Sequence, residues 1–317
     1  MLVDAGLSRR ETFRRLRSIG ESPEPLDAIL ISHEHSDHTG GLAAIATAHN
    51  TPVFVNALTR QALLAEAEAA RRPAGAPEPR RARAASANGG RERPATNQAN
   101  TPRDAHHAHW PAAALWAMAA GGGPALAAPN GQPAAADTRA AGDGDSAAKA
   151  KPQPVFEVFR TGQKFQVGDV EIESFTVPHD AADPVAFRLT AEGVSIGVCT
   201  DLGYLPDSVK FHLAGCACLV LESNHDLDML KVGPYPWSVK QRVMSRTGHL
   251  SNNAVSDFLL GDFDAQALVL VLAHLSENNN HPEIARLSAA MALDARRAAR
   301  TRLVVSAQSA ATEVFRF

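Results

Sequence analysis

The chain has 317 residues, a formal net charge of -3 at pH 7 and 45% hydrophobic residues. That is enough apolar material for one large α/β domain or two small ones, and the near-neutral balance excludes a global basic field for nucleic acid, so any such contact needs a local patch. The first residues lack a basic segment followed by an apolar one, no apolar run approaches bilayer-spanning length, and Cys199, Cys216 and Cys218 lie in apolar runs without CxxC spacing; these features predict buried thiols, no membrane segment and a reduced, cytoplasmic setting.

In chain order, MLVDAGL reads as a strand end running into a turn, RRETFRRLRSIG as a short basic helix, and LDAILIS as a buried strand, because its apolar residues are nearly continuous. GGLAAIATAHN has helical spacing at Leu42, Ile45 and Ala46, TPVFVN reads as a strand and TRQALLAEAEAA as a helix. From 71 to 150 Ala, Pro, Gly and Arg dominate and apolar periodicity disappears. Stretches such as RRPAGAPEPRRARAASANGG cannot bury enough surface to offset chain entropy, which predicts a disordered insertion. Within it, HHAHW (106–110) and AAALWAMAA (112–120) read as solvated linker.

Order resumes at VFEVFR. FQVGDVEIESFTVP suggests a hairpin about Gly168 and Asp169, and PVAFRLTAEGVSIGVCTD two strands joined at 191–193. CACLVLES, ALVLVLAH and TRLVVSA read as strands, alternating with helices near SVKQRVMSRT, LSNNAVSDFLL and PEIARLSAAMALDARRAA. This alternation predicts a layered α/β domain of αββα type, formed by 1–70 and 151–317 and interrupted by the insertion.

Where the strand LDAILIS ends, the chain reads HEHSDHTGGL, residues 33–42. His33 and His35 are two apart where a strand runs out, so both imidazoles can point the same way. Asp37 and His38 follow in the turn toward the next helix, where they can curl back toward a second point, which favours two metals. Further ligands are expected at strand ends, and three fit: His179 in TVPHD, Asp201 in GVCTD and His274 in LVLAH.

HEHSDH, with PHDAADP, TDLGY, LAHLSENN, LESNHD and GHLSNNA downstream, closely resembles the metallo-β-lactamase-fold hydrolases of the YycJ/WalJ-like branch over 1–64 and 155–317. The resemblance implies a metallo-β-lactamase-type αββα sandwich. It implies one metal held by His33, His35 and His179, the other by Asp37, His38 and His274, and Asp201 bridging them. The cofactors would be two divalent ions, Zn or Mn with Fe also compatible, and a water bridging them would be acidified toward neutrality. GHLSNNA is similar to the histidine motif of the tRNA 3′-processing nucleases in the same superfamily, which implies His249 as proton donor to a leaving alkoxide. Asp37, His249 and Glu222 are thus the residues expected to carry catalysis, Glu222 and its neighbour His225 by orienting a ligand or His249. Asp4 matches a position near the floor of the site, where a carboxylate accepts a hydrogen bond from a ligand histidine.

Members of this branch begin with a strand and an SGSSGN-type loop ahead of the segment corresponding to MLVDAG, so a first strand is expected to be lacking here. The expected function is a phosphodiesterase or nuclease of the 5′ to 3′ DNA exonuclease type, with DNA as partner and the RRETFRRLR helix, Lys231, Lys240, Arg242 and Arg246 as basic candidates. Alternatives are hydrolysis of a small lactone, thioester, β-lactam or cyclic phosphodiester, and an inactive truncated scaffold.

Overall fold

The computed structural model describes residues 1–23, 26–71 and 153–317; the 106–110 and 112–120 segments and the rest of 72–152 lie outside the described residues. Two sheets carry the molecule. The first is four-stranded and parallel, in the order β1 (Leu2–Val3), β2 (Ile29–Leu30), β3 (Val53–Asn56), β4 (Phe156–Phe159). The second has seven strands: β5 (Lys164–Val167), β6 (Val170–Thr176), β7 (Val185–Ala191), β8 (Val194–Cys199), β9 (Cys218–Glu222), β10 (Val269–Ala273) and β11 (Arg302–Val305), ordered from β11 to β5 by sequence number. Strands β8 to β11 run parallel, whereas β5 to β8 form an antiparallel meander.

The predicted hairpin β5–β6 turns at Gly168 and Asp169. The β7–β8 turn has positive φ at both Glu192 (50°) and Gly193 (80°), the primed geometry whose twist matches the flanking strands.

Alternating side chains assign the faces. Leu30 of β2 joins Phe159, Ile172, Val185 and Phe187 in the core between the sheets, while Ile29 and Ile31 point outward into a layer with Phe13, Leu42 and Ile45. This two-sided burial explains the unbroken apolar run of LDAILIS. That outer layer is made by α1 (Arg9–Ser18), α3 (Leu42–His49) and α4 (Ala57–Arg71). On the far side, Leu219 and Leu221 of β9 and Leu270 and Leu272 of β10 pack against α5 (Asp207–Leu213), α8 (Asn252–Gly261) and α9 (Pro282–Ala295). The result is the expected αββα arrangement.

Three short helices depart from the sequence reading. Asp37 and His38 lie not in an open turn but in a single helical turn, α2 (Ser36–Thr39). Neither α5 nor α6 (Leu227–Val232) is foreseen: at 7 and 6 residues they are too short to display a 3.6-residue period. The helix near SVKQRVMSRT is α7 (Trp237–Val243), shorter than its motif. Among the described residues no helix is long and apolar enough to cross a membrane. All three cysteines are free and buried, as expected.

Candidate metal centre

Strands β6, β8, β9 and β10 all point their C-terminal ends the same way, so Glu222, the last residue of β9, and His179, Asp201 and His274 in the loops after the other three come to one edge. The C-terminal ends of β1 and β2 deliver Asp4 and the 33–38 motif to the same place, tied across the sheets by Val185 N–H donating to Ser32 O (3.1 Å). Asp4, Asp201 and His274 have φ of 59°, 60° and 57°. Left-handed backbone at non-glycine residues is unfavourable by roughly 1–2 kcal/mol, and here it recurs just after three strand ends, where it turns donors into one cavity. The motif loop is held equally tightly: a Cβ at Gly6 would stand 1.5 Å from Asp37 O, so only glycine admits this approach.

The donor atoms form overlapping groups, each within 4.8 Å: His33, His35 and His179; His33, His38 and Asp201; Asp37, His38 and His274; and Asp201, Glu222, His249 and His274. His35 Nδ1 lies 3.0 Å from His33 Nε2 and 3.3 Å from His179 Nε2. Tetrahedral zinc with Zn–N bonds of about 2.0–2.1 Å places its nitrogens about 3.3 Å apart, so these three fit such an ion. His38 Nε2 and Asp201 Oδ2 are buried, 3.1 Å apart, and neither finds a hydrogen-bond partner of workable geometry. A cation accepted by both satisfies them together. Asp37 Oδ2 stands 3.4 Å from His274 Nε2 and 3.6 Å from His38 Nε2 at the open mouth of the site.

The Nδ1 atoms of His33, His38, His179, His249 and His274 each have a partner, which turns Nε2 inward. Asp4 Oδ2 takes His38 Nδ1 at 2.8 Å and also the Ser32 hydroxyl at 2.8 Å; that hydroxyl in turn lies 2.9 Å from His33 Nδ1. His179 donates Nδ1–H to Gly248 O (3.1 Å). Glu222, fully buried, accepts at 2.8 Å from both His249 Nδ1 and His274 Nδ1 through Oε1, and from the backbone N–H groups of Leu250 (2.9 Å) and Leu202 (3.2 Å) through Oε2. Glu222 therefore reaches the site only through two rings. Beneath it, Ser223 donates to Asn252 Oδ1 (2.7 Å) and Asn252 exchanges amide bonds with Asn280 (2.9 and 3.0 Å), locking three loops. His225, expected as an orienting partner, is buried with Nδ1 unpartnered.

Electrostatics sort the donors. Burial and the His38 charge push His33 far down, and burial lowers His179, leaving both in the neutral form that a metal ion accepts. Burial opposes charge on His38 and His274, but the carboxylates of Asp201, Asp4, Asp37 and Glu222 outweigh it and hold both well above the ordinary histidine value. Burial likewise opposes ionisation of Asp201 and Glu222, yet the facing histidines hold Asp201 well below its ordinary value and Glu222 at about 2. Ionised carboxylates thus crowd a buried space that recruits positive charge, which a divalent ion supplies as well as a proton does.

The basic candidates are less free than the sequence suggests. Arg14 and Arg15 of α1 pair with Glu11, Lys231 with Asp228, and Arg242 with Asp180. Lys240 is buried and donates Nζ–H to Lys231 O (2.7 Å), so it secures a helix end rather than facing solvent. Missed by the sequence reading were Ser32, the Gly248 carbonyl and the Ser223–Asn252–Asn280 network. The clustered asparagines in LSNNA and SENNNH were the available signal for the last.

The profile of the Metallo-beta-lactamase superfamily matches residues 1–235. The chain is 27% identical to Exodeoxyribonuclease YycJ of Bacillus anthracis over 294 residues, 93% of this chain and 81% of that protein. It is equally 27% identical to Exodeoxyribonuclease WalJ of Streptococcus pneumoniae serotype 2 (strain D39 / NCTC 7466) over 288 residues, 91% and 78% of the two chains. In fold it is similar to the metallo-beta-lactamase fold protein YhfI from Bacillus subtilis, with TM-score 0.53 and 14% identity over 96% of this chain and 83% of that one. Zn(2+)-bound PqqB from Methylobacterium extorquens gives TM-score 0.50 and 13% identity over 96% and 80%. The chain belongs to the metallo-beta-lactamase superfamily and is a metal-dependent hydrolase.

Proposed function

We propose that this hydrolase is a dinuclear phosphodiesterase, a 5′ to 3′ exonuclease acting on DNA in the cytoplasm. The observation that carries it is the pair of three-donor groups, His33–His35–His179 and Asp37–His38–His274, with Asp201 within reach of both. In this reading each group would hold one divalent ion, zinc or manganese, with Asp201 placed between the groups. Such ions would supply acidification of a water molecule and neutralisation of charge on phosphoryl oxygens. The exodeoxyribonuclease names of the curated relatives support DNA as substrate, and the buried free cysteines support a reduced compartment.

The chain's own residues serve the rest of the reaction. Asp4 and Glu222 fix the ring orientations of His38 and of His274 and His249. His249 keeps Nδ1–H on Glu222, so Nε2 is the atom free to carry a proton. Burial opposes its charge, but Glu222 and Asp201 raise its pKa above the ordinary value. A protonated Nε2 at the half-buried rim is suited to protonate the leaving alkoxide.

The test offers metal-loaded protein 5′-phosphorylated duplex DNA, single-stranded DNA, a lactone and a thioester, with Asp37→Ala as control. Release of nucleotides that disappears in Asp37→Ala supports the reading. Nuclease activity that persists in that variant refutes the metal assignment, and preference for the lactone or thioester moves the enzyme to carbon-centred hydrolysis.

A further inference from the structure

Two arginines precede His249, Arg242 in the last turn of α7 and Arg246 in the loop that follows, and the structure treats them differently. Arg242 is bound to Asp180, the neighbour of His179, so its charge is already answered. Arg246 is exposed, and among the described residues no carboxylate pairs with it. Its guanidinium carbon instead lies over the ring of Tyr204, 4.0 Å from the centroid. A cation–π contact restrains the group while leaving N–H donors for a phosphate, whose bidentate recognition lysine cannot reproduce.

The position of this pair is fixed by the site. Tyr204 follows Asp201 by three residues and Arg246 precedes His249 by three, a span of at most about 11 Å. Their loops touch: a Cβ at Gly203 would meet the Arg246 backbone carbon at 2.3 Å, and Gly203 N–H donates to Pro178 O (2.9 Å) in the loop carrying His179. The stacked arginine is thus anchored to the same three loops that deliver His179, Asp201 and His249.

We infer that Arg246, preset by Tyr204, binds a phosphate of the DNA strand flanking the scissile one. This rests on the phosphodiesterase reading above. It makes Arg246 the local basic contact that the neutral net charge of the chain requires; of the other candidates around the loops of the site, Lys231 and Arg242 are paired and Lys240 is buried.

The experiment measures binding of a fluorescent, 5′-phosphorylated single-stranded oligonucleotide in EDTA across a salt series, for the full chain and for Arg246→Ala, Arg246→Lys and Tyr204→Leu. Loss of one charge-assisted phosphate contact predicts about five- to tenfold weaker binding for Arg246→Ala and a salt slope shallower by about 0.7. Arg246→Lys should restore the slope but only part of the affinity, and Tyr204→Leu should weaken binding while keeping the slope. The manganese-loaded proteins are then assayed on the same oligonucleotide and on bis(p-nitrophenyl) phosphate, which has no flanking phosphate. The loss in Arg246→Ala should be about five- to tenfold greater on the oligonucleotide. Equal losses on both substrates, or unchanged affinity and slope, overturn the inference. A wild-type protein that hydrolyses neither substrate refutes the phosphodiesterase reading, while the binding series in EDTA still decides Arg246 by itself.

Discussion

The two halves of the metal centre are built in opposite ways. The N-terminal half draws Asp4, Ser32, His33, His35, Asp37 and His38 from two adjacent parallel strands and one helical turn, and its supports are few: Asp4 holds His38 and Ser32, and Ser32 touches His33. The C-terminal half gathers His179, Asp201, His249 and His274 from loops far apart in sequence, and it needs a buried carboxylate to register them. Glu222 does this with four hydrogen bonds to three loops, above a sealed asparagine network. A contiguous motif is positioned by its own backbone path, whereas dispersed ligands depend on a shared anchor.

Asp201 joins the halves, standing 3.1 Å from His38 on one side and 3.4 Å from His274 on the other. Asp201→Ala should therefore have the largest effect. Loss of several kcal/mol of transition-state stabilisation corresponds to about a thousandfold fall in kcat. Metal content measured on the purified variant should drop with it, and a variant retaining the wild-type metal content and full turnover would show that the halves work independently. Glu222→Gln comes next. It leaves the donor atoms in place but swaps half of the anchor for an amide, and loss of a partner behind a metal-binding histidine costs about 10–100-fold in activity or metal affinity.

This division also explains what the sequence disclosed. HEHSDH is readable because its donors share one strand end and one turn, and His179, Asp201 and His274 because each terminates an apolar run at a sheet edge. The layers were legible from two-sided burial in LDAILIS and alternation in the hairpins. Left-handed φ at Asp4, Asp201 and His274 left no trace in residue type, since aspartate and histidine are there for their side chains. The stack of Arg246 on Tyr204 joins loops that only the folded chain brings together. Lys240 looked like any surface cation because burial of its stem depends on where α6 ends, and α6 itself is too short to announce a period.

Asp4→Asn tests the lighter scaffold of the N-terminal half. The amide can still accept from Ser32 N–H, now 2.8 Å from Oδ1, but its NH2 faces His38 Nδ1 and no longer favours a proton there. Only His38 loses its direct partner, while His33 is affected through the Ser32 hydroxyl, so the loss should lie near tenfold, below that of Glu222→Gln. Side-by-side turnover and zinc titration of the two variants decide the ranking. A greater loss from Asp4→Asn would mean that the motif, and not the dispersed half, is the fragile one.

The smallest effect near neutrality belongs to His225, which sits behind Glu222 without touching the ligands' inward atoms. Burial is the main cause that pushes its pKa down, from 6.5 to about 4. The folded protein keeps this ring neutral, and Nδ1 has no partner that could accept a hydrogen bond from an added proton. Between those pH values the unfolded chain binds a proton that the folded one refuses, so the stability is whole above pH 6.5, declines as pH falls and stops declining below about 4. At pH 5 the penalty from this group is about 2 kcal/mol. Urea denaturation of wild type and His225→Asn in EDTA, from neutral pH down to 5, should show the gap between them closing by that amount. Parallel curves would place the acid sensitivity elsewhere and leave His225 as a packing residue of the dispersed half.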